Sequence, residues 1–231
     1  MGEPVLYLGG VAVIGYFYSL WLQDYRRNAR DLVAAGVDQM PAAAAIRAAN
    51  QIGAQSLPGA MPVGLPVVTI AVLGGLLILG VEVAGEYGLG IVAEQTEMTV
   101  LFGIYTLAAA FLEELIFRGF FYYERGGRVG LVLSILLVSI LFALLHPYLW
   151  KFEPRDEIPW SEFYRCWSLD SSTKAVFSTT IVMVNSLWFY AVRFLPLNRY
   201  RSLIPCVAAH FASNLGVFLI KLGQGKVVGF F

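Results

Sequence analysis

An all-α bundle of about six membrane-crossing helices is what this sequence predicts, and three observations predict it. The 231 residues are 58% hydrophobic and 14% charged, whereas soluble domains carry about a quarter charged residues. Six long apolar runs punctuate the chain, and the connections between them sort by charge.

A helix crossing about 30 Å of hydrocarbon needs roughly 20 mostly apolar residues. Segments 4–22, 62–83, 98–122, 129–149, 175–195 and 202–222 meet that requirement. They lack the alternation of a membrane barrel, so helices are the expected spanning form. The first run is read as a retained span, because Glu3 precedes it and the first basic residue is Arg26, the reverse of a signal peptide. Together the spans describe one membrane domain over residues 1–231.

"DYRRNAR", "ERGGR" and "RFLPLNRYR" follow spans one, three and five and are basic, which assigns them to the cytoplasmic side. "EVAGEYGLGIVAEQTE", after span two, has four Glu and no Lys or Arg, and the 150–174 connection has an acidic excess. These belong outside. Ten of the sixteen basic residues then lie inside and six outside. Sixteen Lys and Arg balance sixteen Asp and Glu, so net charge points to no nucleic acid partner.

Residues 23–61 are Ala-rich and broken by Pro41 and Pro58, which predicts one or two short helices at the inner surface. Residues 150–174, with Trp150, Trp160 and Trp167, predict an interfacial flap. Cys166 and Cys206 form no metal or redox spacing. Glu82 and Glu86 are expected to be solvated at a span end; Asn185, in span five, either lines a pocket or, as a single mid-span Asn more often does, packs as interhelical glue.

Ionisable groups inside a span cost about 2.5–3.5 kcal/mol each on insertion scales, so they mark candidate functional sites. Span three holds Glu113, Glu114 and Arg118, span four His146, and span six His210 and Asn214. Glu114 and Arg118 are four apart on one helix face, while Glu113 points about 100° away. Arg118 therefore neutralises one glutamate, either as support for a site or as a helix-end pair whose arginine snorkels to the inner surface. Glu113 needs a raised pKa or a partner on another helix, the condition of a general base near neutral pH. His146 alone fits an interfacial histidine, and His210 with Asn214 fits interhelical glue. A shared polar pocket explains all three helices at once. Depth opposes it: at 1.5 Å per residue His146 is about 25 Å from the inner end of its span and Glu113 about 15 Å. A helix break at His146 forced by Pro147 is one way to close that gap.

"EELIFRG", "FALLH" and "HFASN" have the forms EExxxR, FxxxH and HxxxN, in that order. This set resembles the CPBP family of CAAX prenyl endoproteases and bacteriocin-processing enzymes, the Abi-type glutamic intramembrane proteases. The resemblance covers about 98–222, the expected catalytic core. It implies a peptidase acting on a membrane-associated peptide or protein. In that family pattern Glu113 and His146 activate water, His210 and Asn214 stabilise the oxyanion, and Glu114 and Arg118 support the site. No cofactor is expected. The chain departs from the best-known members in having fewer spans and a Trp-rich loop between the second and third motifs. Two rivals are weighed against this reading. One is a zinc protease holding its metal with Glu113, His146 and His210; the other is a non-enzymatic immunity or scaffold protein. The expected location is a prokaryotic plasma membrane, on small size and lack of trafficking signals.

Overall fold

The computed structural model describes residues 2–124, 126–153 and 159–230. Among them, six helices are long and apolar enough to cross a membrane. The chain is an integral, multi-pass, all-α membrane protein.

α1 (Gly2–Ala34) is one continuous helix of 33 residues, about 50 Å long. It outruns the span expected at 4–22, and the basic "DYRRNAR" stretch is a helical extension of it rather than a loop. Nothing in that stretch breaks a helix, and Gly36 at φ 61 marks the stop. A short 3-10 turn (Val37–Gln39) leads to α2 (Ala42–Gly53), whose Ala45 and Ala49 pack under Leu32, Val37 and Met61. This is the expected surface helix. The returning loop is tied to α1: Asn28, fully buried, donates to Ser56 Oγ at 2.9 Å and Ala60 O at 2.7 Å. Leu57 N donates to Asp24 at 2.7 Å.

α3 (Leu65–Leu89) starts at Pro66 and ends at Gly90 in the left-handed conformation. It lies close against α6 (Thr173–Arg193) and α7 (Ile204–Gly223) because its contact positions are small. A Cβ on Gly74 would sit 2.1 Å from the Trp188 ring, and one on Gly75 would sit 3.2 Å from Ala209 O. Trp188 Nε1 also donates to Ala71 O at 3.0 Å. The buried core continues through Ala71, Ala109, Cys206 and Ala209, while Leu77, Val129 and Leu137 are 70%, 73% and 67% exposed. On spanning helices those exposed positions are the lipid-facing surface.

α4 (Val100–Glu114) is capped by Thr99, whose hydroxyl accepts from Phe102 N at 3.2 Å. Residues 226–230 run beside its start and accept further free N–H groups, with Met98 N bonded to Lys226 O and Val100 N to Gly229 O. α5 (Gly127–Leu145) follows. Between α5 and α6, β1 (Trp150–Phe152) pairs antiparallel with β2 (Trp167–Leu169), and a 3-10 helix spans Trp160–Cys166. The expected aromatic flap is thus a small hairpin, with Trp160 90% exposed and Phe152 packed on Phe163 and Trp167.

Candidate active site

α4 does not continue to 122 as one α-helix. After Glu114 it widens into a π-helix over Leu115–Phe120, a form that accumulates at functional sites. Phe121 N reaches back to Ile116 O at 3.1 Å. The carbonyls of Phe117 and Phe121, freed at this end, both face the Tyr190 hydroxyl at 2.6 Å, which donates to one of them at a time.

From Phe121 the chain is no longer helical, and Tyr123 N donates to Ser134 Oγ at 3.0 Å. The 1.5 Å rise assumed for an uninterrupted helix therefore stops applying at Phe120. At the other side α5 stops at His146, which is extended at φ −79, ψ 139 before Pro147. The two motifs nevertheless meet at one depth: Phe142, one turn before His146, packs edge-to-face against Phe117, one turn after Glu113, with ring centres 4.8 Å apart.

The two neighbouring glutamates have different fates. Glu114 and Arg118 are fully buried and ion-paired, Nη1 to Oε1 at 3.1 Å. The arginine does not snorkel to the surface. Its guanidinium lies 4.4 Å from the Phe142 ring centre, 5.1 Å from Phe189 and 5.3 Å from Tyr190. His210 Nδ1 donates to the same Glu114 oxygen at 2.8 Å. An ionised carboxylate only accepts, so this bond fixes the proton on Nδ1 and turns Nε2 toward Glu113, whose Oε2 is 3.8 Å away. The Glu113 side chain is 35% exposed.

One turn further along α7, Asn214 donates from Nδ2 to Thr106 O at 3.0 Å, which fixes its orientation and leaves a second N–H. His146 Nδ1 donates to Phe142 O at 2.8 Å, so its Nε2 carries the lone pair. A carboxylate, two imidazoles and an amide are each held by a neighbour that sets their orientation.

Glu113, His146, His210 and Asn214 line one cavity of about 430 Å³. Glu114 and Arg118 lie outside its lining, under the His210 side. Several residues not expected here also line it. Glu82 and Glu86 are on its wall rather than at a solvated span end, because α3 runs on to Leu89; Glu86 is 8% exposed and hydrogen-bonded to Gln95. Lys174, whose ammonium has no hydrogen-bond partner among the described residues, and Lys221, which donates to Thr96 O at 2.6 Å, complete an ionic mouth. Asn185 lines the cavity, its Oδ1 unpaired among the described residues, the weaker of the two positions weighed for it. Tyr148 lines it too, its ring 6.2 Å from that of His146. Although Tyr148 is 42% exposed as a residue, burial of the group, then the nearby Glu82 and Glu86, push its phenol up to about 12. It stays a neutral donor at physiological pH.

Among the described residues, no three His, Cys, Asp or Glu side chains converge with metal-ligand spacing. His210 Nδ1 is already committed to Glu114. No curated protein and no solved structure matches the chain. Residues 95–216 match the sequence model of the Rce1-like type II CAAX prenyl endopeptidases. That stretch contains α4 through most of α7 and all three motifs, and on this match the chain belongs to the Rce1-like family of CAAX-type intramembrane proteases.

Proposed function

We propose that the protein is a glutamic intramembrane endopeptidase that hydrolyses a peptide bond in a membrane-associated peptide or protein, with residues of about 98–222 as its catalytic core. The proposed setting is a prokaryotic plasma membrane. The observation that carries the reading is the convergence of Glu113, His146, His210 and Asn214 on one cavity.

In this reading the Glu113 carboxylate takes a proton from a water that His146 Nε2 helps to hold. The water oxygen bonds to the substrate carbonyl carbon, and negative charge moves to the carbonyl oxygen. Asn214 donates its free N–H to that oxygen, and His210 in its imidazolium form donates from Nε2. Glu114 keeps the imidazolium charge balanced and its ring in place, while Arg118 holds Glu114. The C–N bond then breaks, and the proton on Glu113 passes to the departing amine. No step requires a cofactor.

The chemistry is tested with purified protein in liposomes, a library of membrane-tethered peptides and ¹⁸O-labelled water. Cleavage places one ¹⁸O in each new carboxyl group. Glu113→Gln lowers turnover by about 10²–10⁴-fold, the usual worth of a general base. Undiminished cleavage by that variant would rule the mechanism out. The zinc reading is decided by metal analysis of the same preparation: stoichiometric zinc with chelator-sensitive turnover would replace the metal-free mechanism.

A further inference from the structure

Between its charged mouth and the level of His210, the cavity has apolar walls that include Leu79, Ile181, Val182 and Val217. Two polar side chains interrupt them, Asn185 on α6 and Ser213 on α7. The two helices run antiparallel here. The Phe189 ring stacks on His210 at 4.9 Å, while Lys174 from the start of α6 and Lys221 from the end of α7 both line the mouth. Asn185 is four residues before Phe189, and Ser213 three after His210. Both therefore lie about 4.5–6 Å from the His210 level toward the mouth.

Neither side chain has a partner among the described residues: Asn185 Oδ1 and Ser213 Oγ are buried and unpaired. Ser213 is 6% exposed and lies against Gly75, where an added Cβ would be 3.0 Å from its Oγ. An Asn that served as interhelical glue would bond across to a neighbouring helix, as Asn214 does with Thr106 O. The residue after Asn185 shows the same behaviour, Ser186 donating to Ser139 Oγ at 3.0 Å. Asn185 and Ser213 make no such bond, and a buried polar group without a partner is costly. Their partners are what enters the cavity.

We propose that Asn185 and Ser213 form a subsite that holds the backbone of an extended substrate peptide one or two residues from the bond to be cut. A carboxamide has an acceptor oxygen and two N–H donors, and a hydroxyl both donates and accepts. Together they match the N–H and C=O that every non-proline residue of an extended chain presents. At about 3.3 Å per extended residue, the 4.5–6 Å displacement corresponds to one or two residues. The subsite is indifferent to the side chain at that position but excludes proline, which has no N–H. That the occupant is a peptide rests on the proposed peptidase reading.

Binding tests the subsite without requiring turnover. Glu113→Gln protein in liposomes is titrated with a library of membrane-tethered peptides and with the same peptides N-methylated at one residue at a time. One N-methyl position is expected to weaken binding about three- to tenfold, the size of one net hydrogen bond. Adding Asn185→Ala is expected to weaken the unmodified peptide by a similar factor and to abolish the penalty of that N-methyl group. Ser213→Ala weakens binding in the same direction. Asn185→Ala should also unfold in detergent at or above the parent temperature, since it breaks no bond in the folded protein. An N-methyl penalty that persists in full in Asn185→Ala overturns the subsite, as does a lowered unfolding temperature with unchanged Kd, or failure of every library peptide to bind. Peptides that bind with the expected pattern but are left uncut by the parent overturn the proposed reaction alone.

Discussion

Glu113 and Glu114 are neighbours in sequence with opposite surroundings, and the difference assigns their work. Glu114 is fully buried between Arg118 and His210; Glu113 faces the cavity, 35% exposed. Removing one partner of a buried ion pair leaves the other charge uncompensated, at a cost of about 3–5 kcal/mol. Glu114→Gln should therefore lower thermal stability in detergent by an amount of that order, whereas Glu113→Gln should unfold with the parent while losing turnover. Equal destabilisation by both would contradict the division of roles. In the proposed reaction the Asn214 amide is one oxyanion donor among others. Asn214→Ala is expected to reduce kcat by about 10²–10³-fold with KM little changed, a donor's usual contribution. A change confined to KM would show that it binds substrate without acting in the reaction. Glu113, Glu114, Arg118, His146, His210 and Asn214 were readable from their cost in lipid and their spacing. Glu82, Glu86 and Tyr148 were not, because a charge near a span end looks solvated until the helix lengths and the cavity are known.

At the scale of elements, the π-helix is what separates a membrane span from a catalytic one. Widening after Glu114 frees backbone carbonyls that only a side chain from another helix can satisfy, and Tyr190 does so. Tyr190→Phe should cost about 1–3 kcal/mol, the penalty of leaving a buried acceptor unpaired. It should also lower kcat, since Glu113 is anchored just before this turn. An unchanged unfolding temperature would show that the hydroxyl is not needed there. The α3–α6 contact makes a second prediction. Gly74→Ala places a Cβ into the Trp188 ring and should destabilise the bundle by about 1–3 kcal/mol through overpacking, again measured by thermal unfolding. Helix existence and order were legible from apolar length. The π register, the non-helical 121–124 stretch and the 33-residue length of α1 were not, because hydropathy reports burial in lipid and says little about backbone form.

On the scale of the whole molecule, the π turn that ends α4, the stop of α5 at His146 and the continuous α7 bring a carboxylate, two imidazoles and an amide to one cavity. The sequence-based depth mismatch between His146 and Glu113 came from treating every residue as advancing 1.5 Å; Pro147 and the non-helical residues after Phe120 removed it. The pairing of motifs across helices separated by up to 96 residues is a property of the packed bundle, held by small residues on α3 and α7. Outside the family match at 95–216, α1 and α2 pack together through Leu32, Ala45 and Ala49, and α3 supplies one wall of the cavity.

The central claim is that the Glu113 carboxylate cuts a membrane-associated chain from within this cavity. Its most direct measurement compares peptide termini in membranes from cells carrying the parent protein and cells carrying Glu113→Gln at equal abundance. The account predicts at least one precursor whose new termini are present with the parent and absent with the variant. Identical terminal profiles in the two would contradict it.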